Sequence, residues 1–292
     1  MKKRLLVAAV GIITALSLSA CGGAASGSDS TADSKVTIGV DDGAEPHWTI
    51  LKDKLKGEGI DLEVKNFTDG AQINAATQQG QVDINLFQHL KFLSQFNVNS
   101  KGTLVPVGAT AVYPLALYSE KYKSVQELPD NASVAIPNNP TNQARALLNL
   151  QTAGLLELKD GGNSLSTPAE IVSSKIKVTP VDSNQTVNAL KGSTDAAVVN
   201  NSQAQKGGLG DDLIIFKEDL NSDALAPYIN VFVVKAENKD DPRWQKIVAA
   251  YHSPEVEAAV TKLNGGNLLF KADWTAERLQ KVLTTEEDNI KK

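Results

Sequence analysis

The chain has 292 residues, 41% of them hydrophobic, and a formal net charge of −5. That balance supplies enough apolar matter for a folded core and argues against nucleic acid, whose phosphates need a basic surface. A single cysteine excludes an internal disulfide, and the three histidines, at positions 47, 89 and 252, have no metal-ligand spacing.

The first residues set the expected compartment. Met1-Lys2-Lys3-Arg4 is a short basic stretch, and Leu5 to Leu18 is apolar or small apart from Thr14 and Ser17. The run falls short of the roughly 20 residues that span a bilayer and reads as a secretory signal peptide over residues 1–20. Leu18-Ser19-Ala20-Cys21 resembles the lipobox of bacterial lipoproteins, which implies acylation of Cys21. Several acyl (palmitate-type) chains give stable anchoring, because each buried methylene contributes about 0.8 kcal/mol. The alternative is an ordinary signal peptide with an incidental cysteine. Residues 21–35 are small and polar and read as a lipidated, flexible tether. Without Lys2, Lys3 and Arg4 the formal charge falls to about −8, which disfavours a second, electrostatic membrane contact.

The roughly 257 residues from Val36 onward exceed the usual single-domain size, so two α/β lobes are expected. Val36–Val40 reads as a strand, and Trp48, Leu51 and Leu55 follow at helical spacing. Asp61–Phe67 alternates like a strand, Ala71–Gln79 suits a helix, and Val82–Leu86 returns to strand. This alternation predicts parallel βαβ units. Leu104–Tyr118 is a long extended run, interrupted at Gly108 and Pro114, and a second such run is Tyr228–Lys235. Between them lie strand Ser133–Ile136, helix Thr141–Ala153, strand Ile176–Val181, helix Asn184–Leu190, and strands Ala196–Asn200 and Leu213–Phe216. Helices close the chain at Pro242–Tyr251, Pro254–Leu263 and Thr275–Leu283.

The two extended runs read as crossovers between lobes. Lobe 1 is expected over residues 36–117 plus 231–292, and lobe 2 over 118–230. A pair of crossing strands makes a hinge with a ligand cleft beneath it. One large α/β domain without a hinge is the alternative.

Three segments carry the candidate chemistry. Asn139 is a good N-cap and Pro140 suits the first helical position, so a helix should begin there with its positive end free for an anion. Asn142 and Arg145 share a face near that end, and the guanidinium is suited to gripping a carboxylate with two parallel hydrogen bonds. A capped surface helix with a solvated arginine reads equally well from this segment alone. Phe87 and His89 close a predicted strand, at the carboxyl end where α/β sheets hold ligands, and form an apolar wall with one polar handle. Plain core packing explains each of them singly. Tyr228 and Asn230 share a strand face at the second crossover, and Tyr113 adds an aromatic in the first. No nucleophile motif, phosphate loop, metal site or cofactor signature is present in the sequence, so no enzyme is expected.

Six blocks in order identify a family. GAEPH (43–47), DINLFQH (83–89), AIPNNPTNQARAL (135–147), DAAVVNN (195–201), PYINV (227–231) and HSPEV (252–256) resemble the methionine-binding lipoproteins of bacterial ABC importers. The resemblance implies a two-lobed, type II periplasmic-binding-protein fold that captures methionine and delivers it to permease and ATPase subunits. It implies a monomeric protein held outside the cytoplasm at the cell membrane. By this resemblance Asn142 and Arg145 hold the amino acid's α-groups, Asn230 joins the same polar cluster, and Phe87, His89 and Tyr113 belong to the side-chain pocket. The group that holds the ammonium stays open between Glu45 and an asparagine carbonyl. The sequence departs from the family at Gly70 and Ile73, where relatives carry a tyrosine and a proline, and near Gln203, where a second tyrosine is missing. Those losses leave room for another small apolar amino acid or a methionine-containing dipeptide, and Trp48 either refills the space or packs the first helix. A hydrolase on the envelope is the remaining alternative from a different class.

Overall fold

The computed structural model describes residues 34–291. The signal segment, Cys21 and all but the end of the tether lie outside the described residues.

The chain enters as strand β1 (Lys35–Val40), helix α1 (Pro46–Gly57), β2 (Asp61–Asn66), α2 (Ala71–Gln78), β3 (Ile84–His89), α3 (Leu90–Ser100) and β4 (Leu104–Val112). It continues through β5 (Ala116–Tyr118), β6 (Ala132–Pro137), α4 (Pro140–Thr152), β7 (Leu156–Leu158), β8 (Ile171–Ser174) and β9 (Ile176–Val181). Then come α5 (Thr186–Gly192), β10 (Ala196–Val199), α6 (Asn201–Gly207), β11 (Ile214–Phe216) and β12 (Ile229–Lys235). The chain ends with α7 (Arg243–Tyr251), α8 (Pro254–Leu263), β13 (Leu269–Phe270) and α9 (Ala276–Lys291).

These strands build a six-stranded sheet in the order β13-β4-β12-β3-β1-β2 and a five-stranded sheet in the order β11-β5-β10-β6-β9, with β7 and β8 pairing apart. In the first, β1 runs parallel to β2 and β3, while β12 is antiparallel to β3 and β4. The second repeats the scheme: β6 is parallel to β9 and β10, and β5 is antiparallel to β10 and β11.

Each sheet is covered on both faces, which is why its strands are nearly continuous in apolar residues. On β12 the period of two divides the side chains. Phe232 and Val234 pack with Trp48, Leu51 and Leu55 of α1 and with Trp244 and Ile247 of α7. Val231 and Val233 pack on the other side with Leu90 and Leu93 of α3 and Leu279 and Leu283 of α9. Strand β10 divides likewise: Ala196 and Val198 meet Leu147 and Leu150 of α4, while Ala197 and Val199 meet Val187 and Leu190 of α5. Burying each large aliphatic side chain fully contributes about 1.5–3 kcal/mol, so Leu279 and Leu283 alone dock α9 firmly.

Several expectations are corrected. Gly108 does not end the first extended run; β4 continues through it with a register shift at Val107 against β12, and the break falls at residues 113–115. Gly108 is there because a Cβ would lie 2.3 Å from Cγ2 of Val248, so α7 presses directly on the strand backbone. Helices α3 and α6 and strands β7 and β8 carry too little punctuation to stand out in the sequence. Helix α9 runs to Lys291, beyond the expected Leu283. The last residue assigned to the tether, Lys35, opens β1. Trp48 packs the first helix: it is 2% exposed, and its indole N–H donates to Asp42 Oδ1 at 2.8 Å.

Candidate functional site

Segments of both large sheets converge on a cavity of about 420 Å³. All seven residues singled out from the sequence, Phe87, His89, Tyr113, Asn142, Arg145, Tyr228 and Asn230, line it.

The positions of Phe87 and His89 follow from a buried amide network behind β3. Asn74 of α2 donates to Gln88 Oε1 at 2.7 Å, Gln88 donates to Asn85 Oδ1 at 2.9 Å, and Asn85 donates to Thr77 Oγ1 at 2.7 Å. Every one of these groups is buried and paired, which fixes the strand against α2. The register with β12 slips between Val231 and Val233, so Leu86 and Phe87 together oppose Phe232. A bulge of this kind re-aims side chains. Four consecutive residues, Leu86 to His89, therefore reach the cavity instead of the alternating pair expected from strand period.

His89 ends β3 and caps α3 with no intervening loop. Its Nδ1 accepts from the backbone N–H of Phe92 at 3.0 Å, which leaves the proton on Nε2, and Nε2 lies 3.2 Å from Asn142 Oδ1. Burial, reinforced by the charge of Arg145, pushes the imidazole down to about 3. The ring is therefore neutral, a fixed donor to Asn142. Phe92, which the sequence did not single out, meets Phe87 edge-on with centroids 5.8 Å apart, and His89 meets Tyr228 at 5.2 Å. Phe87, Phe92, His89 and Tyr228 form one aromatic wall. Tyr228 is the last residue of a 3-10 turn, Asp223–Tyr228, so it does not share a strand face with Asn230 as expected. The pair still meet at the cavity because β12 starts one residue later.

Helix α4 begins as the sequence predicts. Asn139 Oδ1 accepts from the backbone N–H of Asn142 at 3.1 Å, and Pro140 occupies the first turn. One turn on, Arg145 is 5% exposed. Its Nε donates to Glu218 Oε1 at 2.8 Å, and its Nη2 donates to Glu218 Oε2 at 2.6 Å and to the Tyr113 carbonyl at 2.9 Å. Its guanidinium carbon lies 4.2 Å from the Tyr228 ring centroid. The fork that the sequence reading gave to a ligand carboxylate is thus occupied by Glu218. Three of the five N–H groups of Arg145 are spoken for, and the two on Nη1 have no partner among the described residues. Asn230 contributes its backbone carbonyl to Thr110 Oγ1 at 3.1 Å, while its carboxamide has no partner among the described residues.

The opposite rim is acidic. Asp41, Asp42 and Glu45 line it, and Lys206 of α6 reaches Asp41 at 3.3 Å. Burial, with Asp41 beside it, pushes the Asp42 carboxyl up to about 7, against the opposing pull of the Trp48 N–H. His47, also at the cavity, is pushed down to about 4 by burial, and its Nδ1 has no partner among the described residues. Burial pushes the hydroxyls of Tyr113 and Tyr251, which face each other, above the ordinary tyrosine range. Glu218 had no signal in the sequence, because Lys217-Glu218-Asp219 looks like any solvated charge run.

The pattern of the NlpA lipoprotein family matches residues 36–270. The D-methionine-binding lipoprotein MetQ of Salmonella typhi is 40% identical over 268 residues, covering 89% of this chain and 95% of the relative. Protein PG110 of Staphylococcus aureus superposes with a TM-score of 0.81 at 36% identity, covering 86% of this chain and 99% of that one. The substrate-binding protein of a methionine transporter from Streptococcus pneumoniae superposes with a TM-score of 0.75 at 34% identity, covering 82% and 96%. The fold is that of the periplasmic substrate-binding proteins. Within that class, this chain belongs to the NlpA lipoprotein family.

Proposed function

We propose that the chain is a lipid-anchored, extracytoplasmic receptor that captures methionine and passes it to the permease and ATPase subunits of an ABC importer. The observation that carries this reading is the composition of the cavity: one buried guanidinium with two free N–H groups beside a wall of four aromatic rings. A thioether against aromatic edges gains about 0.3–1.5 kcal/mol per contact, a modest term, so cavity shape supplies most of the selectivity. The names of the relatives, a D-methionine-binding lipoprotein and a methionine-transporter binding protein, support the same ligand class. In this reading Nη1 of Arg145 and the amides of Asn142 and Asn230 hold the α-groups, and Phe87, His89, Tyr113 and Tyr228 enclose the tail. The protein acts as a monomer, anchored through Cys21, and carries out no catalytic step.

In this reading the two sheets are the cores of two lobes, joined by the β4–β5 connection at residues 113–115 and the β11–β12 connection at residues 217–228. Contacts between the segments support this: His89 to Asn142, Lys206 to Asp41, and Asn201 of α6 to Asn264 of α8. A second reading, a methionine-containing dipeptide or another small apolar amino acid, is favoured by Gly70. Its missing side chain leaves the edge of the Phe87 ring bare, since a Cβ would lie 3.0 Å from it.

Titration calorimetry with the twenty amino acids, D-methionine and methionine dipeptides tests both readings. The expected outcome is binding confined to sulfur-containing ligands. Silence toward all of them would end the proposal, and a dipeptide bound more tightly than either free enantiomer would favour the second reading.

A further inference from the structure

Glu218 sits in the segment between β11 and the 3-10 turn that leads into β12, with a side chain 9% exposed. Its carboxylate takes the Nε and Nη2 edge of Arg145, and Oε2 also accepts from the backbone N–H of Leu115 at 2.9 Å. Leu115 belongs to the break between β4 and β5, so one carboxylate ties both connections between the sheets to the guanidinium. The same break is held from α4 by Asn149, whose Nδ2 donates to the Leu115 carbonyl at 2.9 Å. Glu218 itself does not line the cavity; Arg145 does.

Two consequences follow from charge and donor count. Arg145 can meet a ligand carboxylate only through Nη1, because its other three N–H groups are committed. Its positive charge is also balanced before any ligand arrives. Besides His47, the neutral His89 and three tyrosines (Tyr113, Tyr228 and Tyr251), the other ionisable side chains at the cavity are Asp41, Asp42, Glu45, Asp69, Asp182 and Lys206, with acids in excess of bases. A cavity with a balanced guanidinium and an acidic remainder has no surplus of positive charge for a bare anion.

We propose that Glu218 is a positioning and specificity-determining residue. By pairing with Arg145 it makes the site select a zwitterion, with carboxylate and ammonium together, over an anion that carries the same carboxylate and tail. This deepens the methionine reading and rests on it.

The test compares L-methionine with its des-amino analogue, which keeps the carboxylate and thioether and lacks the ammonium. Both are titrated into the wild-type protein, Glu218→Gln and Glu218→Asp, with thermal melts as a check on folding. The wild type should favour the amino acid by at least about tenfold. Glu218→Gln leaves a buried guanidinium unbalanced and should shift the ratio toward the anion by about tenfold or more. Glu218→Asp retains the charge and should stay near the wild-type ratio. Equal weakening of both ligands in Glu218→Gln, with the ratio unchanged, would mean a purely structural role and overturn the assignment of Glu218 alone. Wild-type preference for the anion would overturn it without recourse to any variant. Wild-type protein that binds neither compound overturns the methionine reading and this proposal with it.

Discussion

At the scale of single residues, the site is a set of polar groups whose states are fixed by burial and pairing. Arg145 is the clearest case. Replacing it with alanine removes the free Nη1 donors and leaves Glu218 buried without its partner. Loss of Glu218's partner is felt in stability, whereas loss of the charge pair between Nη1 and the ligand carboxylate, worth about 2–5 kcal/mol when buried, should cost Arg145→Ala at least about thirtyfold in methionine affinity by calorimetry. His89 gives a pH signature. Its pKa is about 3 in the folded chain against 6.5 for the free side chain. Between those values the unfolded state holds a proton that the native state does not. Stability therefore rises with pH across that window, and it falls as pH drops from 6.5 toward 3. In His89→Gln that contribution is gone, and melting temperatures measured from pH 7 to pH 4 should decline less steeply than in the wild type. An identical slope in both proteins would show that the native imidazole takes up its proton over the same pH range as in the unfolded chain.

Among elements, close approach decides more than propensity does. Strand β4 lies beneath α7 with only the hydrogen of Gly108 between its backbone and Val248. A methyl group there forces the helix outward, and overpacking of this kind costs about 1–3 kcal/mol. Gly108→Ala should accordingly lower the urea midpoint with an unchanged slope; an unaltered midpoint would mean that α7 has room to shift. Helices α3 and α9 are joined by a buried ion pair between Lys91 and Glu286, and Lys91 Nζ also lies 3.1 Å from Ser164 Oγ. Removing one partner strands the other charge in the interior. Lys91→Met should destabilise by about 3–5 kcal/mol, and the double variant Lys91→Met with Glu286→Leu should recover most of the loss. Failure of the double variant to recover would locate the cost in packing of the lysine stem, because the charge would then be irrelevant.

For the whole molecule, the proposed mechanism is closure of two α/β halves over one ligand. Among the described residues, polar contacts such as His89 with Asn142 and Lys206 with Asp41 cross the cavity, which suits a reversible contact that the ligand completes. Binding to the native state alone stabilises it by about 2.7 kcal/mol at a ligand concentration one hundred times Kd. Methionine in that excess should raise the melting temperature, and the radius of gyration from small-angle scattering should decrease. A thermal shift without any change in scattering would place the free protein already in the closed form.

The sequence by itself determined the α/β alternation, the position of α4 and its Asn139 cap, and the seven residues that meet at the cavity. The elements were legible because they depend on local chemistry: side-chain period, capping geometry, and proline at a helix start; the seven residues stood out through the ordered blocks that resemble the family. Helix α3 was hidden because His89 serves at once as strand end and cap, leaving no turn residues to mark the boundary. Leu86 and Gln88 were hidden because the bulge opposite Phe232 exists only once β3 is paired with β12. Tertiary structure alone decided the partner of Arg145. An acid 73 residues away in sequence reaches the guanidinium only where the chain leaves the second sheet after β11, and no local pattern encodes which carboxylate arrives there.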